Sequence, residues 1–247
     1  MIRTLAVIPA RYASTRFPGK PLALIAGKPM VLHVVDRARA ARTVDAVVVA
    51  TEDERIARVC RDAGVDVEMT GSHHETGTDR LAELATRRPA EIYVNVQGDE
   101  PVIPTESIDI VVRLLRDSIP RGIEVSTGYL DGATKEQEEN PSCVHLVATV
   151  DGCVLTFSRL PIPCGFREQP KRTVHVGLYA FTRAALLRFA GWERGPVERA
   201  ESIELLRFLE HGWRIACAPI PPGSIAVDRP EDVALVESAL AASGVRK

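Results

Sequence analysis

The sequence is poor in the residues that most directly announce a chemistry. Its cysteines number 5, at Cys60, Cys143, Cys153, Cys164 and Cys217, scattered and without C-x-x-C spacing. That spacing excludes a disulfide framework or a zinc site and suits a reducing compartment. Lysine is confined to Lys20, Lys28, Lys135, Lys171 and Lys247 while arginine is abundant, a usage we read as the mark of a GC-rich genome. The formal net charge of −2 supplies no basic excess for nucleic acid or a membrane surface. No apolar run approaches the ~20 residues of a transmembrane helix. The first residues read directly as a strand, without the charged and apolar regions of a secretory signal, so a cytoplasmic location is expected. G-x-G-x-x-G, G-x-x-x-x-G-K-[ST] and G-x-S-x-G are all missing, as are internal repeats and low-complexity tracts.

What is present is a regular alternation of strand and helix signals. The apolar run Leu5, Ala6, Val7, Ile8 has the β-branched content of a buried strand, and Pro9 is expected to end it. Helices are expected over residues 29–42, 51–63, 76–88 and 107–117, and strands over 44–50, 65–69 and 92–96. Thr76 or Thr78 can cap the third helix. This order predicts an α/β fold, mostly a parallel sheet with helices on both faces and ligands beyond the carboxyl ends of the strands. Residues 123–181 break the rhythm and favour strands, which reads as a strand-rich insertion within one domain of 247 residues. Helices over 182–190, 197–210 and 230–242 and a strand over 214–218 complete the chain.

The loop after the first strand carries Arg11, Arg16 and Lys20, with Ser14, Thr15 and Gly19 between them. Three cations among small residues at a strand's carboxyl end form an anion cradle, where backbone N–H groups and side chains share a phosphate chain. Asp99, in VNVQGDEP, follows the strand over 92–96 on the same edge. It is either a magnesium ligand or a turn aspartate bonded to its own backbone. Asp228, in IAVDRPED, taken alone reads as a helix cap. Together the two carboxylates could hold Mg²⁺ against a triphosphate, which suits nucleotidyl transfer better than hydride or acyl chemistry. His73 and His74 read as a solvent-facing loop pair. Glu198, Glu201 and Glu204 share one side of the helix expected over 197–210 and read as a solvated acidic stripe or a sugar or metal site.

With these residues assembled, the chain resembles the CMP-Kdo synthetases (3-deoxy-manno-octulosonate cytidylyltransferases) along nearly its whole length. IPARYASTRFPGKPL, HHETGTDRLAE, VNVQGDEP, FSRLPIP, HVGLYAF and VDRPEDV carry the resemblance. It implies a nucleotidyltransferase (Rossmann-like, GT-A-type) fold, dimeric through the strand-rich part, that uses CTP and Mg²⁺ to attach CMP to an acidic acceptor. By the same resemblance Pro9, Ala10, Arg11, Arg16, Lys20, Thr78, Arg80 and Gln97 would surround the nucleotide. Asp99 and Asp228 would hold the metal and, with Arg11 and Lys20, form the catalytic set. Arg159, His175, Tyr179, Glu198, Glu201 and His145 would face the acceptor. Departures cluster on that acceptor side: Ser142 stands for an asparagine, His145 for a lysine and Leu205 for a glutamine, and the loop over 160–173 is shorter. Kdo or a related 2-keto-3-deoxy sugar acid is the expected acceptor, with a small phosphonate such as phosphonoformate as the alternative. A non-catalytic nucleotide-binding module is disfavoured, because both aspartates are retained.

Overall fold

A computed structural model describes residues 2–13 and 16–242; Ser14 and Thr15 of the cationic loop lie outside the described residues. In chain order the elements are β1 (Ile2–Ala10), the short ribbon β2 (Leu24–Ile25) and β3 (Lys28–Pro29), α1 (Met30–Ala40), β4 (Ala46–Thr51), α2 (Glu54–Asp62) and β5 (Asp66–Met69). Then follow α3 (Gly77–Arg87), β6 (Ala90–Val96), α4 (Thr105–Ser118), β7 (Val125–Asp131), α5 (Lys135–Glu139), β8 (His145–Ala148), β9 (Val154–Ser158) and β10 (Thr173–Thr182). The chain closes with α6 (Arg183–Ala190), α7 (Pro196–Glu201), α8 (Leu206–Glu210), β11 (Ala216–Pro219) and α9 (Asp232–Ala242).

The main sheet runs β11-β7-β10-β6-β1-β4-β5, parallel except for β10, which lies antiparallel to both β6 and β7. Apolar residues alternate across it. Leu5 and Val7 of β1 and Tyr93 of β6 join α3 and α6 on one face, and Ala6, Ile8 and Val94 join α1 and α4 on the other. Strands buried on both faces read as continuous apolar runs, which is why β1 and β6 were legible. In the strand-rich part, β7 and β10 belong to this sheet, and β8 and β9 branch off β10.

Two expectations are corrected. Pro9 does not end β1. The strand continues to Ala10 because its pairing with β6 stops at Val7, so Pro9 has a strand partner only in β4. The helix expected over 197–210 is two helices. Ser202 adopts left-handed backbone (φ 54°) after α7, and α8 begins at Leu206. Arg159 holds this break, its Nε donating to the Glu201 carbonyl at 2.6 Å and its Nη2 to the Ser202 carbonyl at 3.3 Å. The break sends the three glutamates in different directions, so they form no stripe.

The carboxyl ends of β1 and β6 are packed closely at one glycine. A Cβ on Gly98 would lie 2.6 Å from the Pro9 carbonyl oxygen, a backbone atom that cannot swing aside. Gly98→Ala is therefore expected to cost about 1–3 kcal/mol of stability and to separate these strand ends. Denaturant unfolding beside the wild type measures that cost, and an unchanged midpoint would contradict it.

Candidate active site

A cleft opens over the carboxyl ends of β1 and β6. It is lined by Pro9 and Ala10 at the end of β1, by Arg11, Arg16 and Lys20 from the loop after it, by Thr76, Gly77 and Arg80 from the start of α3, by Gln97 and Asp99, and by Asp228. At its floor the Lys20 ammonium, only 15 % exposed, donates to Asp99 Oδ2 at 2.7 Å and to the Val227 carbonyl at 2.8 Å, and lies 3.9 Å from Asp228 Oδ1. Arg16 donates to the same Asp228 carboxylate at 3.0 Å. Asp228 is not used as a helix cap: Asp232 accepts from the Asp228 and Arg229 amides, which leaves the Asp228 side chain facing the cleft. Asp99 likewise turns to Lys20 rather than to its own backbone.

Helix α3 delivers the opposite wall. Thr76, not Thr78, is its N-cap, in a capping box with Asp79. Gly77 sits where a Cβ would come within 3.2 Å of Pro9 and 3.3 Å of Asn95, so the helix amino terminus reaches the strand ends. Thr78 is fully buried and donates its amide to Glu204 at 2.9 Å; its neighbours Thr76 and Gly77 face the cleft in its place. Arg80 is buried against Glu52 at 2.7 Å, and burial lowers its pKa despite that carboxylate. His74 is only 10 % exposed, pairs with Glu83 and lines the cleft, which corrects the solvent-facing reading for His74, while His73 is exposed as expected.

A second pocket adjoins the first across Glu75, Thr76 and Gly77, and is lined by Arg159, His175, Tyr179, Arg194, Ser202 and Glu204. His175 and Tyr179 stack with ring centroids 5.5 Å apart. Thr127 donates its hydroxyl to the Leu178 carbonyl, so it accepts from His175 Nε2 at 3.0 Å, which leaves Nδ1 as the acceptor. Glu201 accepts from the Ser158 hydroxyl at 3.0 Å and the Arg159 amide at 2.9 Å, and so orients Arg159. Glu198, Glu201 and His145 do not line this pocket. Glu198 is fully buried and takes two bonds of 2.7 Å from Arg207, because a carboxylate without solvent needs a cation. His145 is fully buried in β8 with Nδ1 against the Thr173 carbonyl at 3.1 Å.

A family model described as cytidylyltransferase matches residues 5–215. The chain belongs to this cytidylyltransferase family. It is 44% identical over 247 residues to a 3-deoxy-manno-octulosonate cytidylyltransferase of Anaeromyxobacter sp. (strain K), covering 98% of this chain and 99% of that one. It is 46% identical over 243 residues to the same-named protein of Geobacter sulfurreducens, covering 92% and 95%. Among solved structures it is similar to a CMP:2-keto-3-deoxy-manno-octonic acid synthetase complexed with CTP. That match has a TM-score of 0.91 at 37% identity, covering 98% of this chain and 99% of the other.

In this cytidylyltransferase the two carboxylates converge on a single ammonium ion. Two hard oxygen donors directed at one cation are the partial ligand set that Mg²⁺ accepts when phosphate oxygens and water supply the rest. Sequence reasoning missed Arg207 and Glu100. Arg207 joins Glu198 to Asp79 (2.9 Å) and stacks on Phe189, tying α8 to the capping box of α3. Burial pushes the Glu100 carboxyl up to about 7, against the lowering pull of the Ser224 hydroxyl. An acidic residue next to Asp99 in QGDEP was the only sequence signal for it.

Burial also lowers His175 to about 3. The ring stays neutral in the folded protein while the unfolded chain takes a proton below about pH 6.5, so this group withdraws stability as pH falls from about 6.5 toward 3. The slope is about 1.4 kcal/mol per pH unit. Denaturant unfolding of wild type and His175→Phe across that range should diverge by this slope, and parallel pH profiles would contradict it.

Proposed function

We propose that the protein transfers CMP from CTP to Kdo, releasing pyrophosphate. The observation that carries the reading is the convergence of Lys20, Asp99 and Asp228 in a cleft whose wall is a cationic loop. The relatives named above match along both halves of the chain, including the acceptor side, which favours Kdo over a small phosphonate. In this reading Arg11, Arg16 and Lys20 neutralise the triphosphate, and Arg80 and Gln97 lie around the nucleotide. Asp99 and Asp228 would hold Mg²⁺, which when bound supplies charge stabilisation on the transferring and leaving phosphates. Arg159, His175 and Tyr179 face the acceptor, whose oxygen attacks the α-phosphorus in line. The cationic loop then stabilises the departing pyrophosphate, so catalysis rests on positioning and electrostatics without a covalent enzyme intermediate.

The resemblance also supports a homodimer formed through the strand-rich part. Val150 and Leu155 there are exposed apolar side chains that a second copy would cover. A cytoplasmic location fits the scattered free cysteines, and among the described residues no helix is long and apolar enough to cross a membrane.

Pyrophosphate release measured with CTP, Mg²⁺ and either Kdo or phosphonoformate tests the acceptor. Turnover with Kdo alone is expected, and turnover with phosphonoformate alone would overturn the assignment. Asp99→Asn should lower kcat by about a hundredfold or more, as loss of a transition-state contact does; an unchanged kcat would remove Asp99 from the metal site.

A further inference from the structure

A buried carboxylate stands beside Asp99 and has no part in the reaction as described. Glu100 is 7 % exposed. Its Oε2 accepts the Ser224 hydroxyl. The backbone amide of Gly177 stabilises the same carboxylate, and a Cβ on Gly177 would lie 3.4 Å from Oε1. These contacts join three segments, two that line the cleft and one that lines the second pocket. The first is the turn that presents Asp99. The second is the loop through Ser224 that delivers Asp228, bonded to the turn again by Val227 N–H to the Asp99 carbonyl at 2.9 Å. The third is β10, where the register slips between Val176 and Tyr179 and leaves Gly177 and Leu178 without counterparts in β7. His175 and Tyr179 flank that bulge, and bulges re-aim the side chains beside them.

We propose that Glu100 is a positioning residue with two arms. Through Ser224 it fixes the Asp228 loop against Asp99, and through Gly177 it fixes the bulge that presents His175 and Tyr179 to the acceptor. A carboxylate this deeply buried, bonded to Ser224 through one oxygen and packed against Gly177 through the other, is stiff, because losing either neighbour leaves a buried polar group poorly satisfied. This inference rests on the assignment of Asp99 and Asp228 to the metal and of β10 to the acceptor.

The arms can be separated. Ser224→Ala removes only the first. Glu100→Ala removes both. Glu100→Gln keeps both, since its amide oxygen accepts from Gly177 and its amide nitrogen donates to the Ser224 hydroxyl. Two readouts are needed: the factor by which Mg²⁺ tightens CTP binding, from calorimetry with Mg²⁺ and with EDTA in the absence of acceptor, and the KM for Kdo. For Ser224→Ala the Mg²⁺ factor should fall about tenfold while the Kdo KM stays within twofold. For Glu100→Ala both should worsen about tenfold or more, and for Glu100→Gln both should stay within about threefold. A merely structural role would lower the melting temperature of the variants without this split. If Glu100→Ala moves neither readout beyond twofold, or Ser224→Ala leaves the Mg²⁺ factor intact, the proposal is overturned. Should Glu100→Ala fail to fold, Ser224→Ala and Glu100→Gln decide it. A wild type inactive on Kdo would fault the assigned reaction, whereas active wild type with unaffected variants would fault Glu100 alone.

Discussion

The Lys20 ammonium at the floor of the cleft is the contact on which the site depends. It draws together residues 20, 99 and 228, which lie on three widely separated parts of the chain. Two carboxylates at a strand edge would repel one another without a cation between them, and a half-buried ion pair of this kind is screened less than one at the surface. Lys20 therefore occupies the point toward which a divalent cation would be drawn. The sheet makes this possible by placing the carboxyl ends of β1 and β6 side by side, with Gly98 thin enough to let the two turns touch.

Around that point the protein spends buried charge on geometry. Arg207 is almost wholly enclosed, yet it is fully paired with Glu198 and Asp79 and covered by Phe189. Breaking such a pair leaves a charge without solvent, at a cost of about 3–5 kcal/mol, so the network holds α3 and α8 in one relation. Through α3 it governs the wall shared by both pockets. The two pockets are thus coupled through Thr76 and Gly77, which line both.

Much of this was readable from the sequence, for local reasons. Leu5, Val7 and Tyr93 sit in apolar runs whose length and branching mark buried strands, and the cations after β1 lie where parallel sheets bind anions. What was not readable depends on distant partners. Nothing within VERAESIELLR signals a break, because Ser202 is held by Arg159, which follows β9 far off in the chain. Glu198 looks like an exposed acidic residue until Arg207 folds against it, and His74 looks like a loop residue until Glu83 of α3 meets it. Pro9 escapes the rule against proline in a ladder because that rule assumes two neighbouring strands, and β1 has only one there.

The central claim is that Lys20 holds the place of a cation between Asp99 and Asp228. A crystal structure with CTP and Mg²⁺ bound tests it most directly. The account predicts that the metal lies between the two carboxylates and that Lys20 has moved onto the triphosphate. A structure in which the Lys20–Asp99 pair is intact and the triphosphate lies outside the cleft would contradict it.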